Sequence, residues 1–145
     1  MLSFLEKYTN KGEFIFKIGD RLVDHCRNIP NESGVYLMYT IKNNLEELVY
    51  IGASGKMKQN GTFGVQKLHK RIQNMQNSKL TRQIHFEQEM EVNKEMEVNK
   101  IDEIKVIWFV TFDDSFKDLP LYVEALLLQG FFNMNNQLPR WNKQA

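Results

Sequence analysis

One carboxylate stands apart in this sequence. Glu124 is the only charged side chain between Asp118 and Arg140, set in the run Leu121-Tyr-Val-Glu-Ala-Leu-Leu-Leu128. A carboxylate on so apolar a helix loses hydration unless a cation pairs with it or a metal ion binds it. A buried ion pair and a metal site are therefore both open. A second signal is the distribution of charge. The chain carries 19 Lys and Arg against 18 Asp and Glu, so its bulk charge names no partner. Between Glu47 and Glu87, however, there is no acidic residue, while Lys56, Lys58, Lys67, Lys70, Arg71, Lys79 and Arg82 all fall there. A one-signed block in an otherwise acidic chain suits a polyanion such as a phosphate backbone, although a solvated helix and loop would look the same. Within the block, His69-Lys70-Arg71 reads as part of a helix, and a guanidinium there could grip a phosphate through two parallel hydrogen bonds.

Other chemistries are excluded more firmly. Gly55-Lys56 faintly resembles a P-loop, but Tyr50 stands where its first glycine must be and Met57 where its metal-binding hydroxyl must be. A single cysteine, Cys26, rules out an internal disulfide framework and a cysteine-based zinc knuckle. No apolar run approaches the roughly 20 residues that span a bilayer, and Met1-Leu-Ser-Phe-Leu-Glu-Lys7 meets a charge before a signal-peptide core can form. An intracellular, cytoplasmic protein without a membrane partner is expected.

A length of 145 residues favours one domain. Phe14, Ile18, Leu22 and Cys26 recur every fourth residue and predict a helix over 14–27, so that residues 1–28 form a helical N-terminal extension. His25 lies beside that stripe as a surface or boundary residue. Ile29-Pro-Asn-Glu-Ser-Gly34 is a turn, Val35 to Ile41 a strand, Lys42-Asn43-Asn44 a hairpin turn, and Glu46 to Ile51 the returning strand. With Asn43 at the centre of the turn, Tyr36 falls directly opposite Tyr50 on one face. Residues 52–64 hold four of the eight glycines and read as a flexible loop. Val65, Leu68, Ile72 and Met75 then predict a helix with Lys67, Lys70 and Arg71 on its other faces. Glu-Met-Glu-Val-Asn-Lys occurs twice in tandem, at 89–94 and 95–100, as a small surface duplication. Ile104 to Phe112 is a buried strand. Leu121 to Phe132 is a helix whose core stripe would be Leu121, Ala125, Leu128 and Phe132. The order predicts an α+β fold with a small antiparallel sheet.

Five blocks, in order, give the sequence a likeness. Ile29-Pro30-x-x-x-Gly34-Val35-Tyr36, Tyr50-Ile51-Gly52, Leu68-His-Lys-Arg71, Glu124-Ala-Leu-Leu-Leu and Pro139-Arg-Trp-Asn142 together resemble the GIY-YIG nuclease family, in particular its excision-repair branch. The likeness spans about residues 29–142. It implies a three-stranded antiparallel sheet flanked by helices, and hydrolysis of DNA phosphodiester bonds with one divalent ion, Mg²⁺ or Mn²⁺. By position, the resemblance makes Tyr36 and Tyr50 the motif tyrosines, one of them serving or assisting the general base, with Tyr36 the expected one. Arg71 would neutralise phosphate charge, Glu124 would hold the metal, and Asn142 would support the site, with His69 and Lys56 as auxiliaries. Lys56, Lys58, Lys67, Lys70 and Arg82 would contact DNA. A phenol ionises near pH 10, so a basic role at neutral pH needs a cation close by. The sequence departs from the pattern at Ala53, where many relatives carry lysine, and in the glycine-rich loop that delays the arginine helix. The alternative reading is a nucleic-acid-binding or interaction module that keeps the fold without turnover.

Overall fold

The computed structural model describes residues 2–17, 19–75 and 103–145. Four strands, β1 (Lys11–Lys17), β2 (Ser33–Lys42), β3 (Leu45–Ala53) and β4 (Glu103–Phe112), form one antiparallel sheet in the order β1-β4-β2-β3. Three helices, α1 (Leu22–His25), α2 (Leu68–Gln73) and α3 (Pro120–Asn135), pack against it, and a 3-10 turn covers Ser3–Lys7. The two central strands alternate their side chains between two cores. On one face Tyr36 and Met38 of β2 and Ile104, Val106 and Trp108 of β4 meet Leu68 and Ile72 of α2 and Leu22 of α1. On the other, Val35, Leu37 and Ile51 meet Val123 and Leu127 of α3, with Leu5 and Tyr8 from the N-terminal turn. The fold is α+β, as its sequence pattern indicates, but the sheet has four strands rather than three.

The fourth strand comes from the segment that spacing assigned to a helix. Residues 11–17 alternate exposed positions with half-buried Gly12 and Phe14 and fully buried Phe16, and every residue of β1 pairs with β4. Two features override the four-residue spacing. Gly19 takes a positive φ of 97°, and Asp20 closes a turn by accepting the Lys17 amide at 2.9 Å. Among the described residues of this stretch the α-helix is confined to Leu22–His25, with the 3-10 turn at Ser3–Lys7 before β1, so residues 1–28 are not a helical extension. His25 lies at its end, 3.0 Å from the Asp20 carboxylate and stacked on Phe14.

The helices also bury other faces than expected. α3 presents Pro120, Val123, Leu127 and Leu128 to the sheet, while Leu121, Ala125 and Phe132 are exposed. This helix is apolar nearly all round, so periodicity alone could not choose its buried side. α2 buries Leu68 and Ile72, but Val65 precedes the helix and is 78% exposed. Asn43 and Asn44 form the two-residue turn between β2 and β3, with φ of 50° and 65°, the left-handed pair that matches the twist of a hairpin.

At Gly34 the sheet is closest-packed. A Cβ there would stand 1.9 Å from the Phe109 carbonyl oxygen, where the β2–β4 register shifts between Ser33 and Gly34. Backbone cannot yield as a side chain can, so Gly34→Ala is expected to destabilise the fold by about 3 kcal/mol or more in urea unfolding. Gly64→Ala, where nothing lies within 4 Å of the added carbon, should stay within about 0.5 kcal/mol of the parent protein.

Candidate active site

The two tyrosines share a face because of one extra residue. From the turn as far as Leu48, β3 pairs so that Thr40 meets Glu47 and Tyr39 meets Leu48. Continued unbroken, that register would set Tyr50 opposite Leu37 and send it to the face away from Tyr36. Instead Val49 bulges, Tyr50 pairs with Met38, and Tyr36 pairs with Gly52. The phenols are thus diagonal neighbours rather than directly opposed, with ring centroids 5.9 Å apart. Gly52 is required there. A Cβ on it would meet Tyr36 Cζ at 2.5 Å and Tyr50 Cε1 at 2.8 Å, so the Tyr36 ring lies over bare backbone.

Arg71 reaches this pair from α2. The helix is tied to the strand entrance by the Leu68 amide, which donates to the Glu32 carbonyl at 2.9 Å, and by buried Leu68 and Ile72. Arg71 itself is exposed and hydrogen-bonds the Tyr36 hydroxyl. Burial pushes the Tyr36 phenol well above its ordinary ionisation range, and a hydrogen bond and charge coupling to Tyr50 act in the same sense. Arg71 opposes both, through its hydrogen bond and its positive charge. In the chain as it stands, Tyr36 is a neutral phenol gripped by a guanidinium.

Asn142 closes the site from the far end of the sequence. Its Oδ1 accepts the Ile51 amide at 3.0 Å and its Nδ2 donates to the Ile51 carbonyl at 2.9 Å. Beside it, the Trp141 amide donates to the carbonyl of Val49, the bulged residue, at 2.9 Å. The last segment therefore runs along the outer edge of β3 and clamps the stretch that carries Tyr50. A cleft of about 590 Å³ results, lined by Tyr36, Tyr50, Arg71 and Asn142 together with Met75 and Trp141.

No family model, curated protein or solved structure matches this chain.

Glu124 is on α3, does not line the cleft, and is half-buried. Burial raises the pKa of its carboxyl, and the positive charge of Arg71 is the influence that lowers it. That charge links the two faces of the sheet. Among the described residues no three His, Cys, Asp or Glu side chains converge as a metal cage. A desolvated lone carboxylate nevertheless fits the way Mg²⁺ is held, by one or two carboxylates with water and substrate phosphate completing its shell.

The auxiliary residues divide. The His69 Nδ1–H donates to the Ile29 carbonyl at 2.9 Å, and the ring does not line the cleft. Lys56, Lys58 and Lys70 are exposed and Lys67 is half-buried, all outside the cleft. Arg82 and the 89–100 repeat lie outside the described residues. The glycine-rich loop is folded rather than formless. The Lys58 amide donates to Thr62 at 2.7 Å, Met57 bridges to Phe63, and Phe63 packs edge-on against Phe112 at 5.1 Å. Ala53, where lysine would suit the motif, is buried in the α3 core, on the face away from the tyrosines. Trp141, Met75 and Lys143 also line the cleft, although their residue types and spacing do not mark them as site residues in the sequence. The adjacency of Trp141 to Asn142 was the available signal for the first.

Two outcomes follow from this geometry. Asn142→Ala removes two hydrogen bonds to Ile51 and should cost about 2 kcal/mol of stability, read in urea unfolding. The native state keeps the Tyr36 proton that the unfolded chain releases near pH 10, so stability should fall as pH rises above that value. Tyr36→Phe should lessen the fall in thermal denaturation scans, because phenylalanine has no proton to lose.

Proposed function

We propose that this protein is a divalent-metal-dependent endonuclease of GIY-YIG type, acting on DNA phosphodiester bonds. The observation that carries the reading is the continuous contact from Arg71 to the Tyr36 hydroxyl and on to Tyr50 within one cleft, with Glu124 in the field of the same guanidinium. Five residues that the sequence spreads over more than a hundred positions serve one reaction class.

Arg71 would hold a phosphate oxygen and stabilise the charge that builds as the phosphorus becomes five-coordinate. Tyr36 is the candidate base, because its oxygen is the one Arg71 contacts. Tyr50 would orient the attacking water, and Asn142 would keep the Tyr50 strand in place. Glu124 would hold the divalent ion, which when bound supplies Lewis-acid charge to the scissile phosphate. Since burial keeps the proton on Tyr36, the cleavage rate should climb with pH through the neutral and mildly alkaline range rather than level off.

The test is nicking of supercoiled plasmid with Mg²⁺ or Mn²⁺, against an EDTA control. Glu124→Gln keeps the shape of the side chain and should fold, still bind DNA, and lose cleavage by about 100-fold or more. Arg71→Ala and Tyr36→Phe should each lose a comparable factor. A wild type that binds DNA and never nicks it would establish the binding-module alternative. A Glu124→Gln protein that melts earlier yet cleaves normally would make Glu124 a structural ion-pair partner. Neutralising Lys56, Lys67 and Lys70 together should flatten the slope of log affinity against log salt by about 3, since each phosphate contact contributes about 0.9.

A further inference from the structure

Phosphate chemistry accounts for only part of the cleft. A phosphate and one ion need far less room than about 590 Å³, a volume in the range of sites for whole small molecules. The remaining wall has a composition of its own. Trp141, Met75 and Tyr50 supply flat aromatic and soft apolar surface, and the amides of Gln66, Asn74 and Gln144 stand around it. Lys143 adds a second cation to that of Arg71. Aromatic plates, amide edges and cations converging in one place fit a single ligand chemistry. That ligand has a flat apolar face, a rim of hydrogen-bonding groups and an attached anion, which describes a nucleotide.

The aromatic wall is also held in advance. The Trp141 backbone is anchored on Val49 and the next side chain on Ile51, so little ordering remains to be done on binding.

We propose that this part of the cleft is a base-binding subsite, which takes one unpaired base of a DNA strand beside the phosphate held by Arg71. The proposal rests on the phosphodiester reading of the same cleft and specifies its substrate class. A base in a continuous duplex has both faces covered by its neighbours and cannot offer one to Trp141 without leaving the stack. Preferred substrates are therefore strands with unpaired nucleotides, at gaps, flaps or frayed ends, rather than unbroken duplex.

The experiment measures binding in EDTA, so it does not depend on cleavage. The probes are a 12-nucleotide oligo-dT, an abasic strand of the same length and charge, and the oligo-dT annealed to its complement. Tryptophan emission reports on the subsite, because Trp108 is 6% exposed in the core and Trp141 lines the cleft. Oligo-dT should quench the emission and bind about tenfold or more tighter than either the abasic strand or the duplex at equal salt. With affinity read instead from the fluorescence anisotropy of an end-labelled strand, Trp141→Leu should erase that preference and leave the weaker, salt-dependent binding of the abasic strand. Trp141→Phe, which keeps an aromatic face and guards against a misfolded leucine variant, should retain it. Equal affinity for oligo-dT and the abasic strand, or binding of duplex as tight as oligo-dT, would overturn the subsite. So would a Trp141→Leu protein that folds and keeps the preference. Plasmid nicking measured alongside separates the two readings. A protein that nicks with Mg²⁺ but shows no base preference keeps the nuclease reading and loses this one. A base preference without nicking does the reverse.

Discussion

The bulge at Val49 is the constraint on which the site depends. Strand side chains alternate, so an uninterrupted β2–β3 hairpin closed by Asn43-Asn44 would place the two tyrosines on opposite faces of the sheet. One unpaired residue reverses that parity for everything beyond it in β3. It also frees a carbonyl on the outer edge of the sheet, and the Trp141 amide takes it. The same irregularity thus brings Tyr50 to Tyr36 and docks the segment that carries Asn142. Gly52 follows from it as well, because the register it sets is the one that lays the Tyr36 ring across position 52.

Electrostatically the site is built around opposition. Burial holds a proton on Tyr36 and favours a neutral Glu124, and Arg71 pulls both toward their charged forms. Neither acidic group is fully compensated by one guanidinium. A site in this condition gains from additional positive charge, since a cation arriving beside Tyr36 and Glu124 favours the ionised form of each. The geometry that makes Tyr36 a poor base in the isolated chain makes it sensitive to what binds beside it.

Much of this was legible in the sequence, for identifiable reasons. β2, β3 and β4 carry β-branched and aromatic residues in alternation, and Asn43-Asn44 marks a hairpin. Tyr36, Tyr50, Arg71 and Asn142 were recognisable by their order along the chain, and the structure brings these four into one cleft. β1 was hidden because Phe14 falls in a four-residue stripe as well as in the two-residue alternation of the strand, and the pairing with β4 that decides between them is set far along the chain. The bulge was invisible because Val49 is an ordinary strand residue, and only the combined demands of two cores and the C-terminal clamp show that it is supernumerary. The buried side of α3 was undecidable from a helix apolar in most directions. Why Ala53 departs from the motif became clear only with the second core, where it packs beside Val35 and Ile51.

The clamp along β3 has a consequence beyond the site. β3 is a terminal strand of the sheet, and an uncovered strand edge offers its amides and carbonyls to any passing chain as a template for self-association. Here Val49 and Ile51 have their outward-facing backbone groups already occupied by Trp141 and Asn142. The opposite border, β1, defends itself differently, with Lys11, Glu13 and Lys17 along its exposed positions. Asn142, bonding as a short piece of strand would, thereby covers the edge at Ile51, and the Trp141 amide extends that cover to Val49.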